Sequence, residues 1–494
     1  MSPIVLNAVK PGFYLDSVAL MRLSREIAAM PGVQDSALMT ATPANKRILQ
    51  DAGLLTSEGA SATANDLLLA VRAHSTEAAR TALCAASSAL EKPRATVKGV
   101  GSKHWRTLRA ALREQPGSTL ALISVPGEYA TSEARKALRS GLDVMIFSDN
   151  VALEEEVALK REAQALGRLV MGPDCGTAII DGIPLAFANR VPRGDIGIIG
   201  ASGTGIQEVA CLIARSGKGI SHAIGVGGRD LAREVAGLST LAAIDLLDTD
   251  AATQCIVLIS KPPHPEVAGA VLARIGHSRK KFVICFLGTT EVTPPANACI
   301  VQTLRAAAEH AIGEAIEPAR EAAPNPAAKP GAILGLYSGG TLAAEAQLIL
   351  LGAGRTVASN AAVPRAKALA CASLGTDRII DLGADEFTRG RPHPMIDPRV
   401  RTDKLREALA DVDLGVILLD VVIGLGAHPD PAGHIASALA GAGPKRPHIV
   451  ASVVGTETDP QVRSRQIATL EAVGALVASS NAGAVELALA LTRR

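Results

Sequence analysis

From residue 118 to the carboxyl terminus the chain repeats one pattern: a short aliphatic run, a glycine-rich turn, then a stretch with apolar residues at helical spacing. TLALISV, VMIFSD and RLVMGP are the first such runs, followed by GDIGIIG, SHAIGVGG, QCIVLIS and KFVICFLG, then AILGLYSGG, VILLDVVIGLG, HIVASVVG and ALVASS. Aliphatic strands of this length, alternating with helices, can bury both their faces only in a parallel sheet with helices on each side. The low aromatic content of 2% fits the same plan, since Ala, Val, Leu, Ile and Gly pack sheets against small-residue helices.

At 494 residues the chain is too long for a single core. The expected class is α/β, with several doubly wound parallel-sheet domains of Rossmann or flavodoxin-like type and a small amino-terminal α+β domain. Residues 1–95 alternate strand and helix and predict a ferredoxin-like unit. Residues 91–117 resemble a linker with one basic helix, and 96–190 predict a Rossmann-like domain. A flavodoxin-like domain is expected over 191–316 and another over 331–494, separated by the Pro- and Ala-rich EPAREAAPNPAAKPG. The last two domains echo each other. Strand IGIIG leads into Ser202-Gly203-Thr204, and strand ILGLY into Ser338-Gly339-Gly340-Thr341, about 136 residues later.

Bulk properties narrow the function. Fifty basic and 48 acidic residues leave a formal net charge of +2, and no stretch mixes clustered cations with aromatics, so no nucleic-acid partner is expected. Seven scattered cysteines without CxxC spacing suit reduced thiols in a cytoplasmic protein. The amino terminus, MSPIVLNAVKPGFYLD, does not read as a signal peptide, and Asp and Gly interrupt every long apolar run, so no membrane association is expected. No spacing among the His, Cys and carboxylate residues predicts a metal site.

Chemistry concentrates at the strand ends. In GASGTG (200–205) glycines let backbone N–H groups approach an anion at a helix start, with Ser202 and Thr204 adding hydroxyls. A plain capped turn would look the same, and the spacing matches neither a dinucleotide fingerprint nor a Walker loop. Gly424 and Gly426, followed by His428, form another such turn, and GVGGRD (225–230) adds Arg229. The densest polar segment, ADEFTRGRPHPMIDPRVR, places Arg389, Arg391 and His393 between prolines, suited to gripping a carboxylate or phosphate. Cys175, in GPDCGT, is either a buried structural thiol or a nucleophile.

These segments resemble the succinyl-CoA synthetase superfamily. GPDCGT, GDIGIIGASGTGIQE and SHAIGVGGRD look like motifs of its alpha subunit, while IIDLGAD and VVIGLGAHPD are similar to the carboxy-terminal domain of its beta subunit. DSVALM, TPANK, GEYA, FSDNV, PLAFAN, GRPHPMIDP and QIATLE extend the resemblance over the whole chain to one branch, the FdrA family. The resemblance implies a phosphate held between two helix starts, Ser202, Gly203 and Thr204 at one and Gly424 and Gly426 at the other. It implies catalytic roles for Glu208 and His393, and substrate contacts from Asn150, Cys175, Arg229, Arg389 and Arg391. It makes 96–190 a CoA-binding-type domain and the two following domains ligase-type. Two departures qualify this. The loop expected to carry a phosphohistidine reads GTTEVTPPANA, and the stretch RATVKGVGSKHWRTLRAALRE has no CoA-gripping glycine turn. No cofactor is assigned. The implied function is one component of an oxamate carbamoyltransferase, with phosphate or carbamoyl phosphate as substrate, two partner subunits and an oligomeric assembly. An NDP-forming acyl-CoA ligase and a non-catalytic scaffold subunit are the alternatives.

Overall fold

The computed structural model describes residues 3–91, 105–289, 292–316, 328–373, 375–388, 391–443 and 446–493. The amino-terminal unit runs β1 (Ile4–Lys10), α1 (Ser17–Ala28), β2 (Val33–Thr40), α2 (Pro43–Asp51), α3 (Ser57–Ser61), β3 (Leu67–Ala73) and α4 (Thr76–Glu91). Its sheet is antiparallel in the order β1-β3-β2. Leu67, Leu69 and Val71 of β3 pack on α1 and α4, while Leu68 and Ala70 face Leu49 and Leu54 on the other side. The continuous run LLLAV thus buries both faces of its strand. Helices α1 and α4 pack on one face of the three described strands, and α2 with the segment after it covers the other.

The second unit contains α5 (Leu108–Glu114), β4 (Leu120–Ile123), α6 (Gly127–Arg139), β5 (Asp143–Ile146), α7 (Leu153–Ala165) and β6 (Val170–Met171). Its three strands are parallel, in the order β4-β5-β6. The domain expected to reach residue 190 ends here. The next hairpin, β7 (Thr177–Ile180) and β8 (Ile183–Ala186), is hydrogen-bonded into the following sheet through β7 and β10 (Ile220–Gly225).

That following unit continues with β9 (Arg193–Gly200) and α8 (Gly203–Arg215) ahead of β10. After β10 come α9 (Leu238–Thr249), β11 (Cys255–Ser260), α10 (Pro265–Gly276), β12 (Lys281–Phe286), β13 (Ala298–Ile300) and α11 (Leu304–Ile312). Its order is β13-β12-β11-β9-β10-β7-β8, whose five parallel strands have flavodoxin-like connectivity that reverses at β9.

The last unit runs β14 (Ala332–Tyr337), α12 (Gly340–Gly352), β15 (Val357–Ser359), β16 (Lys367–Ala368), β17 (Asp377–Asp381), α13 (Asp385–Thr388) and α14 (Arg399–Ala408). It ends with β18 (Leu414–Val422), α15 (Pro431–Leu439), β19 (His448–Val454), α16 (Arg463–Glu471), β20 (Leu476–Ala478) and α17 (Asn481–Leu491). All seven strands are parallel, in the order β16-β15-β17-β14-β18-β19-β20, and the winding reverses at β14. Helices α8, α11, α12 and α17 lie between the two large sheets, and one core joins both halves through Ile206, Val209, Leu304, Leu342, Ala346 and Val485. No described helix is long and apolar enough to cross a membrane.

Candidate functional site

Open parallel sheets bind ligands beyond the carboxyl ends of the strands where the winding reverses. Here those strands are β9 and β14, and their exits meet. Ser202 is extended and caps α8 by accepting from Gly205 N–H at 3.0 Å. Its Oγ also shares a hydrogen bond of 2.5 Å with Thr341 Oγ1 at the start of α12. A Cβ on Gly339 would lie 3.0 Å from the Thr204 side chain, so glycine is what lets the two helix starts touch. The echo between residues 202 and 338 is therefore a contact in space.

The second turn already holds an anion, the chain's own. Ser338 N–H and Oγ each donate to Asp420 at 2.8 Å, and Gly339 N–H donates to it at 2.7 Å. Buried Arg401 stands 3.2 Å from the same carboxylate. On α8, the N–H groups of Gly203 and Thr204 meet no acceptor among the described residues, which leaves that start for an external anion.

The turn at 424–426 is differently engaged. Gly424, at φ 126°, donates its N–H to Gln461 Oε1 at 3.1 Å, and Leu425 N–H donates to Ala188 O at 2.9 Å. A Cβ on Gly426 would strike the Phe187 ring at 2.5 Å. Asn189 links this turn to α8, donating to Ile423 O at 2.8 Å and accepting from Gln207 at 3.0 Å. Helix α15 is capped by Asp430, whose carboxylate accepts from Gly433 N–H. The structure thus sets 202–204 against 338–341, while in the 424–426 turn the Gly424 and Leu425 N–H groups are already engaged.

Glu208 is buried, and its Oε1 accepts from Asn481 N–H at 2.9 Å, the first residue of α17. Its counterpart on α12, Glu345, accepts from Leu304 N–H at 2.6 Å at the start of α11 and from Asn481 Nδ2 at 2.7 Å. Each half therefore caps the other half's last helix. Burial raises the pKa of Glu208, and pushes Glu345 up to about 7 with some help from the Glu208 charge.

In the polar loop, Arg389 lies outside the described residues. His393 Nδ1 accepts from Met395 N–H at 3.2 Å, which leaves the ring proton on Nε2, and desolvation pushes its pKa down to about 4. The Cβ position of Gly383 falls 2.7 Å from His393 Nε2 and 2.8 Å from Ser338 O, so the ring packs beside the α12 start. Asp397 holds Arg399, and Arg391 is exposed.

Cys175 is buried and its thiol is pushed up to about 12 by desolvation, so its environment holds the thiol protonated rather than nucleophilic. Arg229 is tied to Glu156 and to Val151 O, each at 2.8 Å, beside the buried Lys160 that bridges Glu156 and Asp230. It braces the 226–230 turn against α7. Asp174 sits at φ 56°, and desolvation, with the Asp149 charge adding to it, pushes its carboxyl up to about 6.

A cleft of about 640 Å³ opens where the amino-terminal unit, the second unit and the 385–392 loop meet. Asn150 and Arg391 line it, as do Thr42, Asn45, Arg47, Asp149 and Asp385, which the residue-by-residue reading of sites missed. The signal was present: DSVALM, TPANK, GEYA, FSDNV and GRPHPMIDP all contribute to its wall. Segment 381–393 joins the two places, flanking the α12 start with Asp381, Gly383 and His393 and the cleft with Asp385 and Arg391. Among the described residues no cluster of His, Cys, Asp and Glu could hold a metal ion.

Comparison with known proteins agrees with this layout. A domain described as "AllF, heavy metal-associated domain" matches residues 2–105, a CoA binding domain matches 193–288, and a CoA-ligase domain matches 336–491. The CoA binding match thus falls on the β9–β12 unit. The uncharacterized protein YahF of Escherichia coli is 39% identical over 496 residues, covering 96% of each chain. Subunit SauD of the ADP-forming sulfoacetate-CoA ligase of Bilophila wadsworthia is 25% identical over 194 residues, 37% of this chain and 64% of that one. The alpha subunit of the ADP-forming succinate–CoA ligase of Aquifex aeolicus is 27% identical over 164 residues, 32% of this chain and 52% of that one. Among solved structures, the dinucleotide forming acetyl-coenzyme A synthetase 1 of Ca. Korarchaeum cryptofilum matches with a TM-score of 0.30 and 17% identity, covering 76% of this chain and 82% of that one. The chain belongs to the FdrA family, in which alpha-like and beta-carboxy-terminal-like parts of the succinyl-CoA synthetase superfamily are fused in one polypeptide.

Proposed function

We propose that this protein is a carbamoyltransferase component that converts oxalurate and phosphate to oxamate and carbamoyl phosphate, working with two partner subunits in an oligomer. The observation that carries the reading is the meeting of the α8 and α12 starts at the two winding reversals, with the α8 N–H groups uncommitted. Phosphate would sit at Ser202–Thr204, where a helix start and two hydroxyls favour an anion. One phosphate oxygen attacks the carbamoyl carbon, the bond from that carbon to the oxamate nitrogen breaks, and the nitrogen takes a proton. Donors aimed at the growing negative charge lower the barrier, and holding both reactants together supplies much of the rest. A route without a phosphorylated protein is supported by the loop GTTEVTPPANA, which carries no histidine, while Glu208 and Glu345 each give one oxygen to a helix start.

The CoA binding match and the resemblance to SauD favour a second reading, an NDP-forming acyl-CoA ligase. Phosphorus NMR on the complex assembled with its partners separates the two. Carbamoyl phosphate formed from oxalurate and phosphate without CoA supports transfer, whereas CoA-dependent ATP turnover with an acid-labile phosphoprotein replaces it. Full activity in Ser202→Ala, Thr204→Ala and Arg391→Ala would instead leave this chain as a scaffold for a partner's site.

A further inference from the structure

We infer that Asp381 is the proton carrier of the α8–α12 site, taking up a proton when a tetrahedral anion binds at Ser202–Thr204 and passing it to the nitrogen that leaves. The transfer rests on the carbamoyl reading; the uptake does not. Three consecutive residues at the α12 start meet three side chains. The Cβ position of Gly339 lies 3.0 Å from the Thr204 side chain, that of Gly340 lies 2.6 Å from Asp381 Oδ2, and Thr341 Oγ1 stands 2.5 Å from Ser202 Oγ. The α12 start thus brings the Asp381 carboxyl beside the α8 start, and a side chain at 340 would push it away.

The carboxyl is held with one oxygen to spare. Asp381 is buried at the end of β17, and Asn360 fixes its backbone, accepting from Asp381 N–H and donating to Asp381 O, each at 2.9 Å. Oδ1 accepts from Gly383 N–H at 2.9 Å, while Oδ2 accepts from no described residue. A buried carboxylate oxygen without a donor favours the protonated form, and burial accordingly raises the Asp381 pKa. The charges of Asp420 on β18 and Glu386 on α13 add to the rise, and that of Lys261, after β11, opposes it. Lys261 comes from the α8 side, two residues beyond Ile259, whose carbonyl accepts from Ala201 N–H at 3.0 Å. A bound anion adds another negative charge here, so binding and protonation favour each other.

His393 is the other titratable group at this point. The Cβ position of Gly383 falls 2.7 Å from its Nε2 and 3.2 Å from Asp381 Oδ1. Its Nδ1 is taken by Met395 N–H and its pKa is pushed down to about 4, so the neutral ring keeps its Nε2 proton and has no lone pair free to relay another. Asp381 can both give and take. As a phosphate oxygen bonds the carbamoyl carbon and the carbon–nitrogen bond breaks, the Asp381 proton goes to the nitrogen. The proton of the attacking hydrogen phosphate returns to Asp381, so the carboxyl ends as it began.

Calorimetric titration of the full chain with sulfate, a tetrahedral dianion with no proton of its own to lose, tests the uptake between about pH 5 and about pH 9. Sulfate affinity should fall about tenfold as rising pH ionises Asp381 beside the anion. Asp381→Asn should hold it near the value at low pH; Glu345 stays in that variant, so a fall owed to Glu345 would persist. Lys261→Gln, which removes a charge favouring the ionised carboxyl, should move the fall to higher pH. Ser202→Ala should weaken sulfate at every pH, and circular dichroism checks that each variant folds. In the complex assembled with its partners, Asp381→Asn should lower kcat for carbamoyl phosphate formation about hundredfold or more, with the phosphate KM nearly unchanged. Absence of sulfate binding, an affinity flat with pH in the parent, or an equal fall in Asp381→Asn overturns the uptake. Parent kcat in Asp381→Asn overturns the transfer. A fall abolished by Asp381→Asn in a protein whose complex forms no carbamoyl phosphate upholds the uptake and refutes the carbamoyl reading, so the two fail separately.

Discussion

Glu345 makes stability depend on pH in a calculable direction. It is fully buried, and its carboxyl moves from an ordinary 4.5 to about 7 on folding. A raised folded pKa means that the native state binds the proton more tightly than the unfolded chain. This contribution is complete below the unfolded pKa, and it is lost as pH rises through the folded one. At 1.36 kcal/mol per unit the gap corresponds to about 3 kcal/mol, lost between about pH 4.5 and about pH 7. Glu345→Gln keeps a carbonyl for Leu304 N–H but cannot ionise. Urea unfolding followed by circular dichroism should show the parent less stable at about pH 8 than at about pH 5 by an amount of that order, with the difference largely removed in the variant. An unchanged pH slope in Glu345→Gln would refute the argument, because the titrating group would then lie elsewhere. Glu345→Ala should be worse than the glutamine variant at every pH, since it strands two buried donors at about 1–3 kcal/mol each.

Asp420→Ala should destabilise the carboxy-terminal half by about 3–5 kcal/mol in the same urea assay, because it leaves Arg401 buried without its carboxylate and frees the Ser338 and Gly339 donors. Thiol alkylation of the native protein, read by mass spectrometry, should modify exposed Cys84 and Cys371 first and spare Cys175, Cys211 and Cys285; early labelling of Cys175 would contradict its buried, protonated state.

The large parallel sheets were legible because aliphatic runs such as VILLDVV and KFVICF can be satisfied only when buried on both faces. Their boundaries were less so. The hairpin at 177–186 follows a Rossmann-like unit in sequence, but its partner β10 comes later, and pairing between distant strands leaves little local trace. The glycine turns at the helix starts were visible for a chemical reason, yet glycine gives the same signature whether its N–H groups await a ligand or meet a side chain. Asp420 filling the Ser338 turn depends on one inward-facing position in β18, which reads as another buried strand residue. The motifs that supply Thr42 and Asn45 stood in the sequence, but the wall they build exists only once three domains meet.

The crossed capping by Glu208 and Glu345 bears on what a protease would produce. Cleavage in the Pro- and Ala-rich connector would cut the backbone but leave each fragment holding a carboxylate that terminates a helix of the other. A nicked molecule should therefore stay associated and migrate as one species until denatured. Either fragment expressed by itself would expose an apolar helix layer and strand a buried acid, and should be insoluble without its mate.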